Sequence, residues 1–482
     1  MSVLSAAGRA GYPAPVVAAL CLLVAVLLGV LIALAPAAAI AVGLSGFISL
    51  LILRQPTAVF PVLLTLSFLQ PLLLRLIPDS VDYWLWIRRA DELVLAVLLP
   101  VAIIRLLIRG RVPLGRATLL CIGTITAIGL VAAAMRETPT TVVLLDAFLL
   151  FKGLTIFVIA YAFAPSMRAT AALLNAVLVF GVTAGVIGMI EMVAPALVRD
   201  LLPLTAQGSR GGQTCIVSIF EHEGQAGWFF AFVATVAFSS YVVTRRPLFL
   251  ATFLFLSLCS VLTLRRKPIV GLVVMVLVFV LLGRRTNQRV RAATLLLVML
   301  LAGAVFFGDT LVGVFIDGYQ QYLGGPDPMK VARNAMYLTS FRIACDTFPL
   351  GAGFGVFGGY TSRLFYSPVY YEYGLSKVWG LSPENDHFIM DAFWPHVLGQ
   401  FGFIGLAAYL ALLALLWIPV LRVMRQPGST ARRILAFVCV LGFAEALVES
   451  TAQSVFETTL SAFFIFGFLA VSLANERTTR PC

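Results

Sequence analysis

Long apolar blocks without a single charge decide what this chain can fold into. Residues 20–35, 93–104, 269–282 and 403–420 carry no charged side chain. A helix of ~20 mostly apolar residues crosses ~30 Å of hydrocarbon. In lipid every backbone amide must find its partner within its own element, which leaves helices or closed barrels. These blocks do not alternate polar with apolar residues, and with their flanks they are far longer than barrel strands, so the expectation is a helical bundle. Of the 482 residues, 61% are hydrophobic and 12% charged, against about a quarter charged in soluble domains. Apolar segments fall near 14–34, 37–53, 56–74, 91–108, 117–134, 143–163, 170–194, 224–243, 247–263, 268–283, 292–307, 389–421, 434–449 and 454–474. Some are short or broken by proline. The fold class read from them is an all-α polytopic membrane protein of about 12–14 transmembrane helices with one large extracytoplasmic loop.

The net charge of +12 could suit nucleic acid, but the cations sit in short clusters between apolar blocks, as the positive-inside rule requires. Residues 20–35 are followed at once by a second apolar run, which reads as a retained helix rather than a cleaved signal. With the N-terminus in the cytoplasm, the inside connections carry Arg54; Arg105, Arg109, Arg111 and Arg116; Arg168; Arg245 and Arg246; Arg284, Arg285, Arg289 and Arg291; and Arg422, Arg425, Arg432 and Arg433. Arg477 and Arg480 place the C-terminus inside as well. Two outer connections run against the rule. In 75–90, Arg75, Arg88 and Arg89 are partly offset by Asp79 and Asp82, and Trp84 and Trp86 suit an interfacial segment. The turn Arg265-Arg266-Lys267 has no offset: its cations are either interfacial anchors or face an anionic ligand. The chain divides into N-terminal helices (1–204), central helices with outer-face arginines (205–307), the large loop (308–388), and C-terminal helices with a tail (389–482).

No repeat, P-loop or nucleotide fingerprint is present. Gly351-Ala352-Gly353-Phe354-Gly355 does not follow a strand in a βαβ unit and is a weak phosphate-loop signal. The seven cysteines lack metal-ligand spacing. Cys21, Cys121, Cys259 and Cys439 read as packing residues; Cys215 and Cys345 both fall outside, where a disulfide is open. Histidine occurs three times. His222 lies in Phe220-Glu221-His222-Glu223-Gly224, where the carboxylates suit a helix start or a general base. His387 and Asp391 are four apart and would share one helix face, a common acid–base arrangement, with Asn385 and Asp386 as alternative caps. His396 reads as structural. Arg210, in a glycine-rich outer loop, could join Arg265, Arg266 and Arg342 in a cationic site, since guanidinium groups bind phosphate oxygens bidentately.

Three stretches resemble a known family. Residues 341–355, with Pro349-Leu350-Gly351-Ala352-Gly353-Phe354-Gly355, resemble the "PlfGvGfG" segment in the periplasmic loop of the O-antigen ligase and Wzy-type polymerase superfamily. Residues 391–406 resemble its "HNxxLxxLxExGxxGL" segment, and Leu262-Thr263-Leu264-Arg265-Arg266-Lys267-Pro268 occupies the place of its "SxSRg" turn. Arg210 resembles the arginine of an earlier outer loop. Asp391 stands where the ligases carry a histidine, with His387 one turn before it, which is closer to the exopolysaccharide polymerase branch.

The resemblance, over roughly 205–410, implies a metal-independent, GT-C-like glycosyltransferase of the bacterial inner membrane. It would polymerise undecaprenyl-pyrophosphate-linked oligosaccharide repeats at the periplasmic face and use no cofactor. Its partners would be the lipid-linked donor, a glycan acceptor and the bilayer, with polysaccharide-export or chain-length-regulator proteins beside it, and no nucleic acid. Arg210, Arg265, Arg266 and Arg342 would bind the pyrophosphate; His387 or Asp391, with Glu223 as runner-up, would take the acceptor proton. The tyrosine-rich stretch 317–385 would be a mobile loop whose aromatics either stack on sugars or sit at the membrane interface. The alternatives are the related ligase, with a different acceptor, and a lipid-linked glycan transporter without catalysis, for which the symmetric halves common in transporters are not seen.

Overall fold

The structure, a computed structural model, describes residues 54–76, 84–202, 208–210, 213–283, 286–322, 327–426 and 428–477, with positions 43 and 46 besides. The segment expected near 14–34, nearly all of 37–53, and Asp79, Asp82, Arg284, Arg285 and Arg480 lie outside the described residues.

Helices dominate. In chain order they are α1 (Val59–Leu76), α2 (Trp84–Ile108), α3 (Arg116–Met135), α4 (Thr140–Leu150), α5 (Lys152–Ala162), α6 (Met167–Val193) and α7 (Pro195–Leu201). A two-stranded hairpin follows, Ser209–Arg210 with Gln213–Thr214. Then come α8 (Glu223–Thr244), α9 (Pro247–Leu262), α10 (Arg266–Leu282), α11 (Thr286–Tyr322), α12 (Ala332–Asp346), α13 (Tyr360–Leu364), α14 (Val369–Glu372), α15 (Phe393–Arg425), α16 (Thr430–Glu449), α17 (Thr459–Ala462) and α18 (Phe468–Arg477).

This is an all-α chain with helices of membrane-spanning character. Among the described residues, α3, α6, α8 and α15 are long and apolar enough to cross a membrane; α4 and α5 add a fifth span if taken together across their 54° bend. The expected count was higher; two of its segments lie outside the described residues, and others depart from expectation for physical reasons. Residues 59–70, α9 and 459–475 are apolar but short. Helices α2 and α16 are long enough but carry several charges, and Asp91, Arg432, Glu445 and Glu449 are buried within the protein. The segment expected at 143–163 breaks at Phe151 into α4 and α5.

Helix α8 is the axis of the bundle. Its apolar window is 89% buried, against 28% for α3, and α6, α9, α10 and α16 pack around it. In lipid, close fit rather than water exclusion holds helices together. Gly442 of α16 opens a seat for Phe232, and Gly181 of α6 one for Val233: a Cβ at either glycine would lie 2.7 Å from the visiting side chain.

The expected loop 308–388 is corrected at its start, because α11 runs on as helix through Tyr322. The expected mobile loop is largely a packed layer. Phe357, Tyr370, Leu375, Leu381 and Ile389 form its fully buried core. Tyr370 turns its hydroxyl to the Gly358 N–H at 2.9 Å and to Ser362 at 2.9 Å; Tyr319 and Tyr371 are exposed.

Two of the three family-like stretches dock on each other. Ala352 and Gly353 donate their N–H groups to the carbonyls of Gly399 and Gln400 at 2.9 and 2.8 Å. Gly353 has φ +96°, and a Cβ there would lie 2.5 Å from the backbone nitrogen of Ala133 in α3. Helix α15 kinks in answer at Gly402, φ 62°. The glycines let backbone meet backbone; they do not form a phosphate cradle.

Candidate functional site

The site is built around the first turn of α8. Glu191, buried near the end of α6, accepts the N–H groups of Val217 and Ser218 on one carboxylate oxygen at 2.9 and 2.7 Å. This holds Ser218 in the left-handed region, φ 58°, with its hydroxyl donating to the Ala184 carbonyl at 2.6 Å. The chain then delivers His222 to the N-cap of α8, where Nδ1 accepts from Gly224 and Gln225 at 3.1 and 3.2 Å. An Nδ1 that accepts two N–H groups cannot carry a proton, so the cap requires that nitrogen to be unprotonated. Part of the imidazole stays open to solvent. The protein around it nonetheless removes hydration, and Arg265 repels the cation, so the pKa of His222 lies below its ordinary value.

Glu223 follows as the first residue of α8, and its Oε1 meets Arg265 Nη2 at 2.5 Å. The α9–α10 turn reaches this point because Gly227 has no side chain: a Cβ there would lie 2.6 Å from Thr263 Oγ1. Arg265 caps α10 and Arg266 opens it, with the Arg266 guanidinium in the space that a side chain at Gly318 of α11 would fill. Lys267 turns the other way, pairing with buried Glu449 at 2.8 Å and donating to the Ala452 carbonyl at 2.7 Å. Arg210, on the hairpin, acts electrostatically on the same group: burial first, then Arg265, lower its pKa.

Arg265 therefore holds the Glu223 carboxylate, and Arg210 lies near enough to feel the charges of Arg265, Arg266 and Glu223. The N-termini of α8 and α10 meet there, and each adds the positive end of a helix dipole. Like-charged guanidiniums that repel each other, as Arg210 and Arg265 do, would be relieved by an anion.

The structure brings Arg210, Arg265, Arg266 and Glu223 together. It does not bring His387 or Arg342 to them. The expected shared helix face of His387 and Asp391 is corrected: residues 387–390 form a turn, Asp391 lies in a bend, and α15 begins only at Phe393. His387 is exposed on that turn. Asp391 pairs with Arg333 at 3.0 Å, yet lies near enough to His222 to act on its charge. Asp386 pairs with Arg363 at 2.9 Å instead of capping α15, whose N-cap is Ala392. Arg342 is exposed on α12. Cys215 is buried, Cys345 exposed, and both are free thiols.

The sequence reading missed a cavity of ≈ 230 Å³ on the other side of the α8 start, where Glu221 and Gln225 form part of its wall. None of the seven expected site residues lines it. Helix α2 supplies Arg89, Asp91 and Glu92; α5 supplies Lys152. Glu92 pairs with Lys152 at 2.8 Å and with Arg89 at 2.8 Å. Asp91 accepts from Gln70 at 2.9 Å and from the Thr459 hydroxyl. The Arg89 guanidinium sits 4.4 Å over the Tyr360 ring. Glu457 closes the far wall, with buried His396 behind it at 3.3 Å and Asp146 beyond at 3.8 Å. His396 is thus buried, as expected, but between two carboxylates. The signal was available: Asp146 and Lys152 interrupt an otherwise apolar stretch, and charge at that depth marks function.

Among the described residues no group of three or more His, Cys, Asp or Glu side chains is placed to hold a metal ion. No family model matches the chain, and no curated protein matches it in sequence.

Proposed function

We propose that this chain is a membrane glycosyltransferase of the bacterial inner membrane, GT-C-like in fold, that polymerises undecaprenyl-pyrophosphate-linked oligosaccharide repeats at the periplasmic face. The observation that carries the reading is the Arg265–Glu223 pair at two helix N-termini, with Arg210 near enough to feel the charges of Arg265, Arg266 and Glu223. Breaking a sugar–pyrophosphate bond leaves its electron pair on a phosphate oxygen. Fixed cations in a partly desolvated site stabilise that charge as it forms.

Glu223 takes the role of proton acceptor in this scheme. Its carboxylate is held by Arg265. A bound pyrophosphate competes for the same guanidinium and leaves the carboxylate to receive the proton of the acceptor hydroxyl. The hydroxyl oxygen then attacks the anomeric carbon, and undecaprenyl pyrophosphate departs. Asp391, beyond His222, is the nearest other carboxylate of the expected set that acts on this region; His387 has no part in it.

The test is purified protein in liposomes with a lipid-linked repeat as sole substrate and no second acceptor. A ladder of lengthening chains with released undecaprenyl pyrophosphate is the expected result. A single transfer product that appears only with an added acceptor would replace the polymerase with a ligase, and movement of intact donor without release would leave a transporter.

A further inference from the structure

We infer that the cavity between α2, α5, α13 and the start of α8 is a binding subsite for an uncharged sugar ring, separate from the arginine cluster. On the proposed polymerase reading, which this inference uses only to name the ligand's role, the ring belongs to the acceptor chain.

The charge of the walls selects the ligand class. Arg89, Lys152 and Arg363 face four carboxylates, Asp91, Glu92, Glu221 and Glu457. Each cation already touches a carboxylate: Arg89 and Lys152 share Glu92, and Arg363 pairs with Asp386. A pyrophosphate entering here would find no surplus positive charge and several carboxylates. A polyol meets the opposite situation. Its hydroxyls donate to carboxylates and accept from ammonium, guanidinium and amide groups, and burial leaves them paired. Leu149, Met390 and Leu460 add apolar surface, and the Tyr360 ring adds an aromatic one, against which the C–H face of a sugar can lie. The size agrees: ≈ 230 Å³ is below the ~300–1,000 Å³ of sites for drug-sized ligands, which suits one ring and excludes a long glycan lying wholly inside.

Position supplies the role. Glu221 and Gln225 of the cavity wall flank Glu223 in the chain, so the first turn of α8 separates the two sites. A ring held in the cavity presents its hydroxyl next to the turn that carries Glu223 and, beyond it, the guanidiniums.

The experiment uses full-length protein in nanodiscs. One probe is the free oligosaccharide released by mild acid from the host's lipid-linked repeat; the other is inorganic pyrophosphate. Binding of each is measured by calorimetry. Leu149→Trp fills the cavity without changing charge, and Tyr360→Ala removes the aromatic wall; thermal melting reports whether each variant is folded. The expected result is oligosaccharide binding weakened about tenfold or more in both variants, with pyrophosphate binding unchanged. In Arg265→Gln the pattern reverses: pyrophosphate binding is lost and oligosaccharide affinity stays within about twofold. Failure of wild-type protein to bind the oligosaccharide at about 10 mM, displacement of the oligosaccharide by pyrophosphate, or full affinity in both folded cavity variants would each overturn the subsite. Sugar binding without a ladder in liposomes would sink the polymerase reading and leave the subsite standing; a ladder with full sugar affinity in the cavity variants would do the reverse.

Discussion

The two sides of the first turn of α8 are both highly charged, yet they are charged in opposite ways. On one side Arg210, Arg265 and Arg266 outnumber Glu223. On the other, each cation of the cavity meets a carboxylate, Arg89 and Lys152 sharing Glu92, and the walls carry no excess of cations over carboxyl groups. Counting charged residues would call both regions polar sites. How the charges are arranged separates them: on the proposed reading the first receives an anion, the second a neutral ligand rich in hydroxyls. A pair of sites that differ this way, one helical turn apart, fits a transferase whose donor leaves as pyrophosphate and whose acceptor is a sugar.

The strongest way to break the comparison is to remove a cation from the anion side. Arg265→Ala should lower polymer formation by about 10²–10³-fold while sugar binding persists; the chain-length ladder reads the first and calorimetry the second. Turnover retained in this variant would take Arg265 out of the mechanism. A change in the shared scaffold should instead abolish both functions. Gly353→Val places a branched side chain at φ +96° against the Ala133 backbone, which should destabilise by about 3 kcal/mol or more. Thermal melting in detergent should show it, with both ligands losing affinity together. Glu191→Ala acts on the segment that leads into α8. It leaves the Val217 and Ser218 amides without that acceptor, at about 1–3 kcal/mol, and should lower the melting temperature and disturb His222 and Glu223 while α2 and α5 keep the far wall of the cavity.

The smallest effect concerns pH. Because the pKa of His222 is lowered in the folded protein, by lost hydration and then by Arg265, the unfolded chain binds the proton more readily. The cap is fully effective above the ordinary histidine pKa of about 6.5 and loses stability as pH falls below it. Melting temperature should therefore fall between about pH 7 and pH 5. His222→Asn, which caps without titrating, should flatten that part of the profile; an unchanged slope would remove His222 as its source.

The anion side was legible in the sequence because it breaks a rule. In the expected topology Arg265-Arg266-Lys267, between two apolar segments, runs against the positive-inside pattern, and the structure pairs Arg265 with Glu223 and sets Arg210 within reach of their charges. Even so, Lys267 turned out to serve Glu449, which spacing does not reveal. The cavity side broke the same rule at Arg89, but Asp79 and Asp82 masked the signal. Its other members come from α5, α13 and the link into α17, elements far apart in sequence that only tertiary packing unites. Helices α3, α6 and α8 followed hydropathy closely, since an uninterrupted apolar run leaves little choice. The break at Phe151 and the turn at 387–390 did not follow it. Periodicity reads a face only once a helix exists, and whether His387 and Asp391 lie on one is decided by how the preceding layer docks onto α15.

The most direct test of the account is the affinity of purified protein for undecaprenyl pyrophosphate, measured for wild type and for Arg210→Ala. The two should differ by about tenfold or more, with undecaprenyl monophosphate binding more weakly to wild type. Equal affinity in both proteins, or no preference for the pyrophosphate, would contradict the assignment of the arginine cluster as the site of the leaving group.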